Sequence, residues 1–267
     1  MLDKSLHIKA YICMALTSIT LTSLSAVVWA NEASDLKLSV GVDYTSGDYG
    51  GDEDIKDIYI PVTAVYDTGS LGFRLTIPYL RVRAPSGTII TESGGQTFVG
   101  TGPTTTESGL GDVIGGITLY DLVNSFELGI AMDVTAQVKF GTADENEGLG
   151  TGENDYSIRT DVYKYFDDFN LMGSVGYKVR DDPSGLDLED AWFVSIGGVY
   201  EFKAKTRGGI VYDYRQSAFD SGDPVRELTG FVSFPLNDSW RIQVYGLTGF
   251  SDSSPDWGSG VILTLKM

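Results

Sequence analysis

Hydrophobic and polar residues alternate along a long segment in the middle of the chain. From Phe126 to Phe140 every second residue is apolar, and most of the residues between them are polar or small. Successive side chains of a strand point to opposite faces, so this pattern predicts a strand with one apolar and one polar face. The segment has about fifteen residues, whereas strands of soluble proteins average roughly five or six.

The same alternation recurs along the chain and predicts twelve strands. The segments begin near Leu36, Ile58, Phe73, Leu110, Phe126, Tyr156, Leu171, Asp190, Arg207, Arg226, Trp240 and Trp257. We therefore predict an all-β fold, a transmembrane antiparallel up-and-down β-barrel of about 12 strands, with aromatic residues near the strand ends at both lipid boundaries. The alternative is a soluble β-sandwich, whose strands are shorter.

The predicted connections alternate between short and long. Short turns are expected at 68–70, 123–125, 167–168, 203–205 and 237–238, and longer polar loops near 46–54, 85–108, 141–153, 181–188, 217–224 and 251–256. Short turns on one rim and long loops on the other are typical of outer-membrane barrels, and an even strand number places both termini on the periplasmic side. Pro61 and Pro78 fall inside strands, where we expect them to mark bulges.

The N-terminal segment has the composition of a secretory signal peptide. Lys4 and Lys9 precede an apolar stretch from Ala10 to Val28, and Val28-Trp29-Ala30 offers a cleavage site. We predict cleavage after Ala30, which leaves residues 31–267 as a single barrel domain. The alternative is an N-terminal membrane anchor, although Ser and Thr interrupt the apolar run.

Charge and composition exclude several functions. The formal net charge is −18, and the single His and single Cys both lie within the first 30 residues. A chain this acidic does not suit nucleic-acid binding, which needs a basic face. Without His, catalysis by a Ser-His pair or by a His-ligated zinc is not expected. We therefore expect neither an enzyme nor a bound cofactor or structural metal.

The polar faces of the strands are expected to line the lumen. The predicted lining residues are Arg74, Asp112, Asp133, Lys139, Arg159, Asp161, Tyr163, Arg180, Arg207, Asp213, Arg215, Arg241 and Tyr245. The same parity places Asp43, Asp57, Lys178 and Glu227 inside. Most of the remaining acidic residues fall in loops and turns, so the mouths are acidic while the wall carries both signs.

Two interpretations of the lumen remain open. One is a water-filled pore whose opposed charges select solutes. The other is a narrow lumen packed by ion pairs, as in barrels of few strands. The loop 85–108 is either a constriction folded inward or, as we favour, a flexible surface loop. The acidic loops are interpreted as a solvated rim, with divalent-cation binding as the alternative.

Two glycine-rich motifs resemble a known family. Gly109-Leu110-Gly111-Asp112 precedes one predicted strand, and Lys139-Phe140-Gly141-Thr142 is followed by Leu149-Gly150-Thr151-Gly152 and another strand. These motifs resemble the family named "MetA-pathway of phenol degradation", with Phe140 departing from the family's proline-containing form. The resemblance implies a channel-like outer-membrane protein, and the family name implies a link to aromatic compounds.

Together these features favour an outer-membrane channel for small solutes, including aromatic or hydrophobic compounds. The alternative is a non-conducting structural or adhesive barrel that uses its acidic loops. In either case we expect contact with outer-membrane lipid, lipopolysaccharide and the barrel-assembly machinery. Met267 stands where such barrels usually end in Phe or Tyr.

Overall fold

The computed structural model describes residues 35–91, 97–125 and 127–267. The predicted signal peptide and its cleavage site lie outside the described residues. Among the residues described, no helix is long and apolar enough to cross a membrane. Only two short 3-10 helices occur in these ranges, at Glu145–Glu147 and Lys203–Lys205.

Nearly all of the regular structure is strand. The strands are β1 (Asp35–Gly47), β2 (Ile55–Asp67), β3 (Leu71–Pro85), β4 (Ile89–Ile90), β5 (Thr97–Phe98), β6 (Thr104–Leu110), β7 (Val113–Ser125), β8 (Ile130–Phe140), β9 (Asp155–Phe166), β10 (Phe169–Arg180), β11 (Ala191–Glu201), β12 (Arg207–Arg215), β13 (Val225–Pro235), β14 (Trp240–Gly249) and β15 (Trp257–Lys266). β4 and β5 pair only with each other, as a small hairpin within a loop.

The other strands form one closed antiparallel barrel. Each pairs with its neighbours in chain order, and β1 pairs with both β2 and β15, which closes the sheet. β6 and β7 pair with successive parts of β3 and together act as one interrupted wall strand. The wall therefore has twelve strand positions, and the predicted fold class is confirmed. Closure leaves no long sheet edge exposed to lipid.

Pro61 lies in the wall without a bulge. It stands directly opposite Pro78 across β2 and β3, and neither neighbouring register shifts at its position. Gly41 lies beside it on β1, where a Cβ would be 3.1 Å from the Pro61 ring. The missing side chain of Gly41 thus makes room for the proline, and the bulge expected at Pro61 is wrong.

Pro78, in contrast, does coincide with an irregularity. Three residue steps on β3, from Thr76 to Tyr79, face four on the partner strand, because Gly111 and Asp112 separate β6 from β7. The Gly111 amide donates to the Pro78 carbonyl at 2.9 Å. A Cβ on Gly111 would lie 2.2 Å from Leu80 Cδ1, so a larger residue at this position would displace the buried Leu80 side chain. The extra residue is a local bulge that shifts which residues face inward.

The turn after β7 differs from the prediction. β7 continues to Ser125, a turn includes residues 127–129, and β8 begins at Ile130. The predicted turn at 123–125 and the predicted start of a strand at 126 are therefore wrong; residue 126 itself lies outside the described residues. The reason is a register shift before Val123, where Asp121 has a positive φ of 54°. An irregularity of this kind breaks the alternation from which the prediction was made.

The two rims of the barrel have different connections. On the long-loop rim the connections span residues 48–54, 86–103, 141–154, 181–190, 216–224 and 250–256. On the turn rim, where short turns join the strands, the amide of Met267 donates to the carbonyl of Leu36 at 2.9 Å. The first described strand and the end of the chain therefore meet on the turn rim.

The outward face is apolar and has aromatic residues at both rims. Outward side chains of the strands are mostly Val, Leu, Ile and aromatic residues, many of them exposed. Near the long-loop rim Tyr44 contacts Trp257 and Tyr177 contacts Trp192, with ring centroids 5.3 and 4.9 Å apart. Near the turn rim similar pairs are Phe166–Phe169 and Tyr200–Phe202. Two aromatic girdles flanking an apolar band are typical of a barrel in a lipid bilayer.

Inward glycines make room for aromatic rings that lie against the wall. A Cβ on Gly176 would be 2.1 Å from the Phe193 ring, and one on Gly260 would be 2.2 Å from the Tyr245 hydroxyl. Phe231 covers Gly209 in the same way, at 2.7 Å. Such ring–glycine pairs cover the bare backbone of a curved sheet and stabilise it.

We predict that Gly176→Ala destabilises the barrel by about 1–3 kcal/mol, because the added methyl group displaces the Phe193 ring. The matched control is Gly230→Ala, since a Cβ there meets nothing within 4 Å. Urea unfolding in lipid vesicles, followed by tryptophan fluorescence, gives the two free energies of unfolding. Equal values for both variants would contradict the packing described here.

Candidate functional site

Ionisable side chains occupy the inner wall, mainly toward the long-loop rim. We call this set the charged layer; it consists of Asp43, Asp57, Lys139, Asp155, Arg159, Asp161, Lys178, Arg180, Asp213, Arg215 and Glu227. All are buried, and they comprise five cations and six carboxylates. Charged groups are buried only when they pair with one another or with other polar groups. The interior is therefore a polar network close to electrical balance.

Lys139 is the centre of one part of this network. Its Nζ lies 3.1 Å from an Asp112 carboxylate oxygen, 3.4 Å from Asp155 and 3.2 Å from the Thr151 hydroxyl. Asp112 Oδ1 also accepts hydrogen bonds of 2.9 Å from two backbone amides, those of Thr142 and Ala143. The two glycine-rich motifs thus meet here, and Asp112 ties the interrupted wall strand to the loop after β8.

Further pairs lie on β9, β11 and β12. Arg159 Nε donates to Asp161 at 2.9 Å, and these two residues occupy successive inward positions of β9. The Ser195 hydroxyl donates to Asp213 at 2.5 Å, and Arg215 and Arg159 act on the same carboxylate electrostatically. Arginine's planar guanidinium suits such buried pairs.

The wall formed by β1 and β2 presents carboxylates held by hydroxyl groups. The Tyr245 hydroxyl donates to Asp43, and the Thr45 hydroxyl donates to Asp57. Burial, together with the nearby carboxylates of Asp57 and Glu227, raises the pKa of Tyr49 well above its usual value. Tyr49 lies in the loop after β1, so its ring brings a neutral hydroxyl to the acidic side of the lumen.

Toward the turn rim the charged residues form separate contacts. Arg207 Nε donates to Glu201 at 2.6 Å, and Arg241 donates to the Lys205 carbonyl at 3.3 Å and to the Ser233 hydroxyl at 3.2 Å. These contacts hold the short 3-10 turn against the inner wall.

Asp133 has a local structural role. Its Oδ1 accepts a 2.9 Å hydrogen bond from the amide of Asp121, the residue with positive φ in the β7 bulge. The Asp133 side chain therefore satisfies a backbone donor that the irregular ladder exposes.

An apolar group of side chains lies inside the barrel beside the charged layer. We call it the inner apolar cluster; it consists of Ala131, Tyr163, Met172, Val199, Val211, Phe231, Tyr245 and Ile262. These residues come from eight consecutive wall strands, β8 to β15. Tyr245 belongs to this cluster and also donates to Asp43, so the two regions are in direct contact. The lumen therefore has an apolar segment as well as a charged one.

The loop between β3 and β6 folds over the mouth. Ile90 is buried in a second cluster, the mouth cluster, which consists of Ile55, Tyr59, Leu80, Val82, Ala84, Ile90, Ala143 and Leu149. The Ile90 amide donates to the Gly148 carbonyl at 3.0 Å. Phe98 reaches Phe219 in the loop after β12, with ring centroids 6.2 Å apart. β3 and β12 are the third and ninth of the twelve wall positions, so this contact spans the mouth.

The expectation of a flexible surface loop at 85–108 is therefore wrong for its described residues. Its hydrophobic side chains find partners in other loops and on the wall, which burial stabilises. The fold of this loop depends on contacts distant in sequence, which its Ser-, Thr- and Gly-rich composition does not reveal.

A cavity remains beside this folded loop. Its volume is about 260 Å³, and its lining includes Val82, Ala84, Thr88, Glu107 and Glu147. A hydrogen bond between the carboxyl groups of Glu147 and Glu107 raises the pKa of Glu147. Among the described residues, no group of three or more Asp, Glu, His or Cys side chains has the arrangement of a metal site.

The thirteen residues predicted from sequence to line the lumen fall into two groups by burial. Ten are buried, and three, Arg74, Asp112 and Arg207, are half-buried. The structure brings Asp112 to Lys139, Arg159 to Asp161, and Arg215 to Asp213. Arg74 occupies the inward position between Gly72 and Thr76 on β3, near the turn rim.

The mouth cluster was not anticipated from the sequence. Ile90, Ala143 and Leu149 lie in loops, and Leu149 belongs to a motif noted only for its glycines. An isolated Ile or Leu in a long polar loop was the available signal, because such residues in a stable loop require an apolar contact.

Comparisons with known proteins agree with this architecture. The chain is similar in fold to the crystal structure of the COG4313 outer membrane channel from Pseudomonas putida F1, with a TM-score of 0.69, 11% identity, and coverage of 89% of this chain and 97% of that one. It is also similar to the KdgM porin, with a TM-score of 0.53, 8% identity and coverage of 85% and 98%. The NanC porin gives a TM-score of 0.51, 9% identity and coverage of 85% and 98%. No curated protein sequence matches the chain.

The shared fold and the apolar outer band together place the chain in a bacterial outer membrane. Its sequence matches the family described as "Putative MetA-pathway of phenol degradation" over residues 55–267, which covers most of the chain and both glycine-rich motifs. The predicted resemblance is confirmed, and the chain belongs to this family.

Proposed function

We propose that the chain is an outer-membrane channel for small solutes with an aromatic or other apolar body. The observation that carries the proposal is the contact between the charged layer and the inner apolar cluster within one lumen. A hydrated ion gains no binding free energy from the apolar segment. A small organic solute gains binding free energy from both regions, because its apolar body contacts the inner apolar cluster and its polar groups contact the charged layer. The rings of Tyr163, Phe231 and Tyr245 offer faces on which an aromatic solute stacks.

The arrangement described here corresponds to the closed state of that channel. Tyr163 and Arg215 are each 1% exposed, and the loop between β3 and β6 covers the mouth. Passage requires the Phe98–Phe219 contact to separate and side chains of the lumen to move. The loop is held at the rim by the mouth cluster, by the Ile90–Gly148 hydrogen bond and by the Phe98–Phe219 contact. None of these contacts belongs to the wall ladder, so the loop can open while the wall stays intact.

We also infer an orientation for the barrel. The turn rim, where β1 begins and β15 ends, faces the periplasm, and the long loops face the cell exterior. We assign no catalysis to the chain, because the related structures are channels and the described residues contain neither His nor Cys.

The second candidate function is a non-conducting structural or adhesive barrel. The dense burial of the charged layer favours it, since a wall held together by its own ion pairs can be permanently closed. In that case the acidic long loops make the functional contacts.

Removal of the Phe98–Phe219 contact tests the closed state. In planar bilayers we expect Phe98→Ala/Phe219→Ala to raise the ratio of open to closed time about two- to tenfold, the value of an aromatic pair. The control is Phe202→Ala, which removes a ring from an outward pair at the turn rim. If correctly folded wild-type and variant barrels are both silent, the channel proposal fails and the second candidate is favoured.

Neutralisation of the cationic side tests the charged layer. We expect Arg180→Gln/Arg215→Gln to move the reversal potential in a salt gradient toward cation preference, because the remaining carboxylates then dominate the lumen. Lys164→Gln, an outward change, is the control. Asp213→Asn/Arg215→Gln removes a pair of opposite charges and preserves the net charge, so its reversal potential is expected to stay close to that of the wild type. Selectivity unchanged in the first variant would remove these arginines from the conduction path.

A further inference from the structure

The outward face of β3 changes character along its length. From the turn rim upward its exposed positions are Phe73, Leu75, Ile77 and Tyr79, and the next two are Arg81 and Arg83. Four apolar positions followed by two arginines mark the place where the strand leaves the hydrocarbon and enters the headgroup region. Both arginines therefore lie at the level of lipid headgroups on the long-loop side.

The neighbouring strand adds a third cation. Lys56 on β2 stands directly opposite Arg83, and Arg81 is two residues along on the same outward face. We call Lys56, Arg81 and Arg83 the basic patch. Like charges directly opposite each other across two strands destabilise a sheet unless an anion lies between them.

Little within the described part of the chain neutralises this patch. The nearest ion pair is between Lys56 Nζ and Asp54, at 3.7 Å, and both side chains are exposed. Glu53 accepts a hydrogen bond from the Thr104 hydroxyl. Within the residues described, the guanidinium groups of Arg81 and Arg83 form no hydrogen bond or ion pair.

The third strand of this surface supplies hydroxyl donors. On β6, Ser108 stands opposite Arg81 and Thr106 stands opposite Arg83, and both are exposed. Guanidinium groups bind phosphate in a bidentate manner, and flanking ammonium and hydroxyl donors complete the contacts to its oxygens. The surface thus presents the donors that a phosphate monoester accepts from, directly above an apolar wall that acyl chains cover.

The position of the patch is unusual for this chain. The protein has a formal net charge of −18 and only 19 Lys and Arg residues. Five of these basic residues lie inside the barrel, in the charged layer. Among the described strands, β2 and β3 are the one neighbouring pair with basic residues side by side on the outward face. Lys164 faces outward near the turn rim, and Arg226 is outward but isolated.

We propose that the basic patch binds the phosphate groups of an outer-leaflet glycolipid, lipopolysaccharide, while its acyl chains cover the outward side chains of β2 and β3 below. The biological assignment rests on the proposed orientation, with the long loops outside. The binding itself depends on neither that orientation nor conduction.

The test measures binding of bisphosphorylated lipid A to the detergent-solubilised barrel by native mass spectrometry and fluorescence titration. Each cation near a charged lipid surface is worth about fivefold in affinity, so Lys56→Gln/Arg81→Gln/Arg83→Gln is expected to bind about 100-fold more weakly. The matched control is Lys164→Gln/Lys203→Gln/Lys205→Gln, which removes the same charge at the turn rim. It is expected to bind within twofold of the wild type.

Three results separate this proposal from its alternatives. Lipid A without phosphates is expected to bind the wild type as weakly as bisphosphorylated lipid A binds the patch variant. If the wild type binds lipid A with and without phosphates equally well, the proposal is overturned. Equal weakening of the patch and control variants means an unspecific charge effect and also overturns it. If inorganic phosphate competes with lipid A and binds with the same affinity, the patch binds a free anion, and the lipid is rejected as the ligand. A silent channel in planar bilayers affects none of these outcomes.

Discussion

The structure depends on one constraint: in lipid, every backbone hydrogen-bond donor and acceptor must find its partner within the wall. Closure of β1 onto β15 meets that requirement for the sheet as a whole. Where the ladder of backbone hydrogen bonds is irregular, side chains accept hydrogen bonds from the backbone amides. Asp112 accepts from the amides of Thr142 and Ala143 beside the break between β6 and β7, and Asp133 accepts from Asp121 at the β7 bulge. Asp133 therefore completes the wall ladder, and Asp112 fastens the loop after β8 to the break between β6 and β7.

Closure of the barrel also requires the charged side chains inside it to pair with one another. Once the alternation assigns one face to lipid, the other face must accommodate its charges in a confined space, and the charged layer does so by internal pairing. Lys139, with two carboxylates and a hydroxyl around it, shows the result. Such pairing satisfies these buried charges within the protein, without water.

The sequence predicted the features that follow from local periodicity. The alternation identified the strands and the face of residues such as Arg159, Asp213 and Arg241, because a strand repeats every two residues. It failed where a bulge changes that repeat, as at Asp121, and where a fold depends on distant contacts, as for Ile90 in the mouth loop. The glycine-rich motifs pointed to the right segments, but only the structure shows that Asp112 and Lys139 meet.

The ring–glycine pairs of the inner wall have an evolutionary consequence. A barrel of fixed strand number and fixed strand stagger has a fixed backbone circumference, yet the width of its bore also depends on the side chains that lie flat against the wall. Where Phe193 covers Gly176, or Tyr245 covers Gly260, exchange of the ring for a smaller side chain would widen the passage without moving a strand. Related barrels can therefore diverge in the size of what they admit while their scaffolds remain superimposable.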